Sequence, residues 1–378
     1  MKIVHVLTTL DVGGAEMHVL KQVRGQVERG HAVRVRFLKG QGTLREDFLE
    51  AGAERVERAA AGPLFPLRLR ADLGWCEIVH SHLLKADAFT ALAALLFGAR
   101  RKLVSGKHND EQVLRRPLVS WVHGWLGRIP ARTVVLSDHV GRFIETHGRV
   151  PLAAQSRVYY GLDPEPFERA ADETDRDAVR APLAIDGGDV VFVCVARFAP
   201  QKAHEVLLRA LAIAREQDPR LRLLLVGDDP FGDGRERAEV EARRLGLLGS
   251  SGPDAAVFTG IRRDVPSLMA ASDVFCMASR WEGLGLVFLE AMAASTPVLS
   301  TNVSAIPEVV VHGETGRLVP PDDPEAMAEG MLELARDEVL RARLGAAGHR
   351  RVLTRFGLDR MVDETIEVYG EVISARKR

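Results

Sequence analysis

At 378 residues, 46% hydrophobic and 27% charged, the chain exceeds one ordinary core and suits two globular domains. A net charge of −1 offers no basic footprint for nucleic acid, and no apolar run is long enough to span a bilayer. Cys76, Cys194 and Cys276 lie far apart in apolar runs and read as buried small hydrophobes, with nothing to suggest a disulfide framework or a zinc site.

Residues 1–7 read as a strand without signal-peptide architecture, so a cytoplasmic setting is expected. The loop Gly13-Gly14-Ala15-Glu16 follows, then an amphipathic helix over 15–29 that Gly30 stops. Further strands are expected at 32–38, 77–81, 102–106 and 133–137, with helices at 44–51 and 86–97. Prolines and charges from 163 to 182 break the pattern and mark a boundary, giving domains of 1–165 and 166–357. The second half repeats the alternation, with strands at 189–196, 221–226, 256–258, 274–277 and 297–300 and helices at 205–215 and 286–294. A last helix is expected at about 358–374. Such alternation argues for parallel sheets covered by helices on both faces. Residues 1–165 carry 24 Lys and Arg against 17 Asp and Glu, a net +7, whereas residues 166–378 carry 27 against 35, a net −8. The basic first half suits an anionic membrane surface or an arginine-rich solvated face equally.

Several strand ends carry polar residues of the kind that meet ligands. Glu282 lies in a glycine-bearing turn after the strand at 274–277, and Glu290 sits two helical turns further on. A carboxylate pair beside a helix N-terminus suits a ligand with both a phosphate and hydroxyls, such as a sugar nucleotide. Arg197 and Lys202 stand five residues apart at a strand-to-helix turn, where they can clamp a diphosphate or lie as solvated cations. Gly13 and Gly14 permit close approach to a phosphate or sugar, and equally make a tight turn. His108 follows the strand at 102–106, with His80 and His82 as rivals at another strand end. Trp121 and Trp125, one helical turn apart after Arg115-Arg116, fit an interfacial helix; a helix packing both rings into the core is the commoner arrangement. Asp228-Asp229 has the wrong spacing for a D-x-D metal motif, so no metal is expected.

The run E-G-L-G-L-V-F-L-E-A-M-A from Glu282 resembles the signature of the retaining family 4 glycosyltransferases. V-A-R-F-A-P-Q-K around Arg197 and Lys202 resembles the diphosphate-binding turn of that family, residues 258–266 its base-binding segment, and Gly13-Gly14 its N-terminal loop. The resemblance covers most of the chain. It implies an α/β GT-B fold: two Rossmann-like doubly wound parallel-sheet domains facing a central cleft, with the last helix crossing back onto the first. It also implies that Arg197 and Lys202 neutralise a leaving nucleoside diphosphate. Glu282, Gly283, Leu284, Gly285 and Leu286 would hold the sugar, Glu290 the ribose, and Ile261 and Arg262 the base. His108 would stand near a glycan or lipid-linked acceptor. No cofactor beyond the nucleotide sugar is implied, and no enzymic nucleophile. One departure stands out: Tyr160 occupies a position where the family often has Asn. A sugar-nucleotide 2-epimerase and a non-catalytic binding protein remain as rivals.

Overall fold

Short runs of Val, Ile and Leu, closed by glycine or a polar residue, make the strands of two sheets. The computed structural model describes residues 1–229, 232–249 and 253–377. They form two units: Met1–Gly161 with the last helix, Leu358–Lys377, and Leu162–Gly357.

The first unit holds β1 (Lys2–Leu7), β2 (Ala32–Phe37), β3 (Arg55–Arg58), β4 (Ile78–His82), β5 (Leu103–Lys107), β6 (Arg132–Val135) and β7 (Gln155–Arg157). All pair in parallel, in the order β3-β2-β1-β4-β5-β6-β7. Alternate residues of each strand serve opposite faces. Ile3, Leu7, Ile78, Val104 and Val134 meet Val19 and Val23 of the Gly14–Glu28 helix and Met361, Val362 and Tyr369 of the last helix. Val4, Val6, Val79 and Leu103 meet Phe65, Leu69 and Leu73 on the other side. Each fully buried aliphatic contributes about 1.5–3 kcal/mol, so the sheet is fixed from both faces. Arg29 ties the first helix to the last through Asp359 at 2.9 Å and Asp363 at 2.6 Å.

The second unit holds β8 (Val190–Val195), β9 (Leu221–Val226), β10 (Ala256–Gly260), β11 (Val274–Met277), β12 (Val298–Thr301) and β13 (Gly316–Val319), parallel in the order β10-β9-β8-β11-β12-β13. The stretch 163–182 belongs to this unit and is ordered, with helices at Glu165–Glu173 and Arg176–Arg180. Arg176 and Arg180 both bond Asp273 at the start of β11, at 2.5 and 2.8 Å. The strand order reverses between β1 and β4 in one unit and between β8 and β11 in the other. Loops leaving neighbouring strands diverge there, which opens a crevice at the carboxyl ends. The Gly13-Gly14 loop follows β1, the Arg197–Lys202 turn follows β8 and the Glu282 turn follows β11, so all three lie at these reversals.

The three cysteines are free and buried; burial pushes the Cys76 thiol up to about 11 and the Cys194 thiol up to about 12. None of the described helices is long and apolar enough to cross a membrane.

Candidate active site

In the second unit the reversal brings together the turns after β8 and β11. After β8, residues Pro200–Lys202 form one 3₁₀ turn, and Ala203 takes a left-handed φ of 47° before the His204–Arg215 helix. This bend aims Lys202 at the turn after β11. The Lys202 Nζ donates to Glu282 Oε1 at 2.5 Å, and the Ser279 hydroxyl donates to the same oxygen at 2.7 Å. Glu282 is only 5% exposed, so the sequence expectation of a ligand-facing carboxylate is not the arrangement observed. It holds the lysine instead. Removing one partner of such a desolvated pair typically costs about 3–5 kcal/mol.

Backbone bonds lace the two turns together. The Arg280 N–H donates to the Gln201 carbonyl at 2.8 Å, and Gln201 Nε2 to the Trp281 carbonyl at 2.6 Å. Arg280 also reaches the Pro200 carbonyl, Glu205 and Asp322, at 2.7, 2.7 and 2.8 Å. Arg197 differs: it is exposed and has no hydrogen bond or ion pair among the described residues. The unit therefore presents one held ammonium and one unengaged guanidinium at a strand-to-helix turn.

The turn Glu282-Gly283-Leu284-Gly285 leads into the Leu286–Ala293 helix. Gly285 is its N-cap at φ +82°, and a Cβ there would lie 2.5 Å from the Phe288 ring, so only glycine fits. No side chain caps this N-terminus, which leaves N–H donors for an anion. Gly283 and Leu284 are buried, whereas Leu286 and Glu290 are half-buried on the helix. Ile261 is 70% exposed. Arg262 is engaged in a two-pronged pair with Asp264, at 2.8 and 2.5 Å, and is not a free base ligand. Asp229 accepts from the N–H groups of Gly232 and Arg235, at 3.1 and 3.0 Å, as an acid does when it ends a turn. Pro230, in the same stretch, lies outside the described residues.

In the first unit Gly13, in extended backbone at φ −162°, caps the Gly14–Glu28 helix, and a Cβ on Gly14 would meet nothing within 4 Å. His108 is half-buried after β5. Its Nδ1 bonds the Tyr160 hydroxyl at 2.5 Å and its Nε2 bonds His82 Nδ1 at 2.8 Å. Burial, then the Lys107 ammonium, pushes it down to about 3, so it is neutral. His80 and His82 do not line an acceptor surface, being 2% and 0% exposed beneath the sheet face. Lys107 is buried against Asp87 at 2.5 Å. Tyr160 stacks on His18 with ring centres 3.8 Å apart. Its bond to His108 went unread in the sequence because the two residues lie 52 positions apart.

The Trp121–Trp125 helix also departs from expectation. Leu118, Trp121, Val122 and Trp125 are 73, 61, 42 and 55% exposed. At i, i+3, i+4 and i+7 they form one apolar stripe on Pro117–Leu126. Small residues of the same helix, Ser120 and Gly124, with His123, face the core instead.

Comparisons with known proteins give the family and the fold. The family model "Glycosyl transferases group 1" matches residues 175–351, and "Glycosyltransferase Family 4" matches 12–166. A D-inositol 3-phosphate glycosyltransferase of Rhodococcus opacus (strain B4) is 30% identical over 407 residues, 96% of this chain and 86% of that protein. The chain belongs to the group 1, family 4 glycosyltransferases. Spore coat protein SA of Bacillus subtilis (strain 168) is 30% identical over 246 residues, 63% of this chain and 64% of that protein. The crystal structure of Anabaena HepE in complex with UDP and glucose superposes with a TM-score of 0.84 at 21% identity, over 98% of this chain and 100% of that one. The glycosyltransferase has the GT-B fold, with Rossmann-like parallel sheets of seven and six strands. The sequence signal for Lys202 and Glu282 was their separate motifs; that they pair with each other needed the strand order.

Proposed function

We propose that the protein moves a sugar, with retention at the anomeric carbon, from a nucleoside-diphosphate sugar to a hydroxyl of a glycan or lipid-linked acceptor. The observation that carries this reading is the Lys202 ammonium, held by Glu282 at the β8/β11 reversal beside a guanidinium with no other engagement. Cations placed in advance where charge builds on a leaving diphosphate stabilise the transition state with little reorganisation. In this reading Arg197 and Lys202 supply the positive charge that a metal supplies elsewhere, so the transfer is metal-independent. Glu282 already accepts from Lys202 and Ser279, which makes it a poor nucleophile. A front-face course needs none: the bond from C1 to the phosphate oxygen breaks, and the acceptor oxygen bonds C1 on the same face. The acceptor proton passes to the departing phosphate. Glu290 takes the ribose hydroxyls, and the uncapped N-terminus at Gly285 meets the donor.

The acceptor is read from the first unit. A stripe of Leu118, Trp121, Val122 and Trp125, flanked by exposed Arg115, Arg116 and Arg128, has the make-up of an interfacial helix. It suits peripheral contact with an anionic membrane surface and a lipid-linked acceptor in cell-envelope synthesis.

A thermal-shift panel of UDP, GDP, ADP and CMP with their sugar conjugates tests the donor, since a ligand of the folded state raises stability by mass action. One nucleoside diphosphate is expected to shift the transition, with UDP and UDP-glucose tried first because HepE holds UDP and glucose. Glu290→Gln is expected to weaken the ribonucleotide more than its 2′-deoxy analogue. Proton NMR of the new anomeric centre reads the stereochemistry. Conversion without acceptor would move the reading to an epimerase, and binding without turnover to a non-catalytic protein.

A further inference from the structure

The first unit carries a cluster that this reaction does not use. We propose that His5, His80 and His82 form a buried site for one transition-metal ion of zinc-like preference.

The sheet register builds it. His5 and His80 are partners across β1 and β4, and His82 lies two residues on, so the three imidazoles share one face. They are 0, 2 and 0% exposed, and one ligand atom from each lies within 4.8 Å of the others. The same face carries the contact with the first and last helices, which is largely apolar and includes Gln26 and Tyr369.

Each ring is held by its far nitrogen. His5 Nε2 bonds Gln26 Oε1 at 2.9 Å, His80 Nδ1 bonds the Tyr369 hydroxyl at 2.6 Å, and His82 Nδ1 bonds His108 Nε2 at 2.8 Å. This leaves His5 Nδ1 and His82 Nε2 facing each other at 2.8 Å, and His80 Nε2 buried with no hydrogen-bond partner. An orphaned buried nitrogen costs about 1–3 kcal/mol. An ion bound there removes that cost. Histidine ligands fixed through their second nitrogen are the usual outer arrangement of a metal site. Space is kept by Gly106, the register partner of His82. A Cβ there would lie 2.8 Å from His80 Nε2 and 3.0 Å from His82 Nδ1. A cavity of about 10 Å³ adjoins His80, Gly106 and His108, which is room for roughly one water as a fourth ligand.

Zinc–nitrogen bonds of about 2.0–2.1 Å in a tetrahedron separate two nitrogens by about 3.3 Å, so the His5–His82 contact opens by about half an ångström. The protons balance without release. Metal-free, Tyr160 donates to His108, His108 to His82, His82 to His5, and His5 to Gln26. With the ion between His5 and His82, the His82 proton moves to its Nδ1, and His108 then donates from Nδ1 to the Tyr160 oxygen. All four histidines stay neutral. The ion thereby sets which nitrogen of His108 carries hydrogen. Neutral imidazoles in this number suit zinc, cobalt, nickel or copper rather than magnesium or calcium.

The test uses the full chain, stripped with EDTA, dialysed against Co²⁺ or Zn²⁺ alone and desalted. Metal per chain is measured by mass spectrometry, together with the Co²⁺ visible spectrum. One equivalent is expected for the wild type and for His312→Gln, a surface control. Affinity is expected to fall by at least about 100-fold in His5→Gln and His80→Gln, each of which removes a ligand. Less than about a tenth of an equivalent in the wild type, or one equivalent that survives in both variants, overturns the proposal. If the variants do not fold, X-ray absorption of the wild-type zinc form decides. Three imidazole nitrogens at about 2.0–2.1 Å support the site, and an all-oxygen shell overturns it. No nucleotide sugar enters the assay, so the result is separate from the fate of the transfer reading.

Discussion

At the strand reversal of the second unit, Lys202 and Glu282 form an ion pair at 2.5 Å. At the reversal of the first, His5, His80 and His82 are buried with no carboxylate partner and stay neutral, His5 being pushed down to about 4 by burial. The same topology thus meets the cost of burying polar groups in two ways. Charge pairing leaves a field that an anionic leaving group feels. A neutral chain of imidazoles leaves little field, yet it fixes hydrogen-bond direction and reacts to acid. In the proposed reading the difference favours anion chemistry in the second unit.

One test separates the units by pH. In the first, His5, His18, His80, His82, His108 and His123 are all held below the ordinary histidine range, burial first among the causes. In the second, among the described residues, His204 alone is held so, at about 4. A lowered histidine is neutral when folded and binds a proton when unfolded. Its stability contribution is complete above pH 6.5 and falls with pH toward the folded value, by up to about 1.4 kcal/mol per pH unit for each group. Glu241, lowered to about 2 by Arg244 and then Arg209, loses its contribution only below about pH 4.5. Hydrogen exchange in EDTA, corrected for intrinsic rate, is therefore expected to show the first unit losing at least about 2 kcal/mol more than the second between pH 7 and 5. Equal losses would break the comparison.

A second test breaks the charge pair. Lys202→Met strands Glu282 and is expected to destabilise the protein by about 3–5 kcal/mol, while Lys202→Met with Glu282→Gln recovers most of that. Turnover is expected to stay down about 10²–10³-fold in both, because no cation returns to the leaving group. Denaturant titration and single-turnover kinetics read the two quantities apart. Recovery of turnover in the double variant would remove Lys202 from the chemistry.

The sequence carried these regions unequally. The alternation of apolar runs made the parallel sheets legible, since a central strand such as Val190–Val195 is buried along nearly its whole length. The edge strand β3 escaped: Arg55–Arg58 buries only Val56, so no apolar run marks it. The glycine turn at Gly285 and the Arg197–Lys202 turn were visible as local motifs, because a helix N-terminus and its preceding loop are contiguous in sequence. The Glu282 role was not, because its partner lies 80 residues away. The histidine chain was hidden for the same reason, its links spanning 21, 77, 26 and 52 residues. The tryptophans misled because aromatic pairs usually serve the core, and here Ser120, His123 and Gly124 occupy the inward face.

Two smaller effects sharpen the contrast. Arg197 is exposed and has no side-chain partner among the described residues, so Arg197→Gln is expected to leave stability within about 0.5 kcal/mol of wild type. Its affinity for UDP, by calorimetry, is expected to fall about tenfold or more, the worth of a charge-assisted bond. Unchanged affinity would leave Lys202 alone as the anion site. The smallest effect belongs to the apolar stripe of the first unit. Trp121 and Trp125 are 61 and 55% exposed, so replacing both with Ser removes little packing. Stability should hold within about 0.5 kcal/mol, whereas sedimentation with vesicles containing anionic lipid should weaken several-fold or more. Added salt should weaken binding of the wild type as well, because Arg115, Arg116 and Arg128 act through screened charge. Binding that ignores the two tryptophans but responds to salt would reduce the contact to charge alone, and the net +7 of the first half would then be its whole cause.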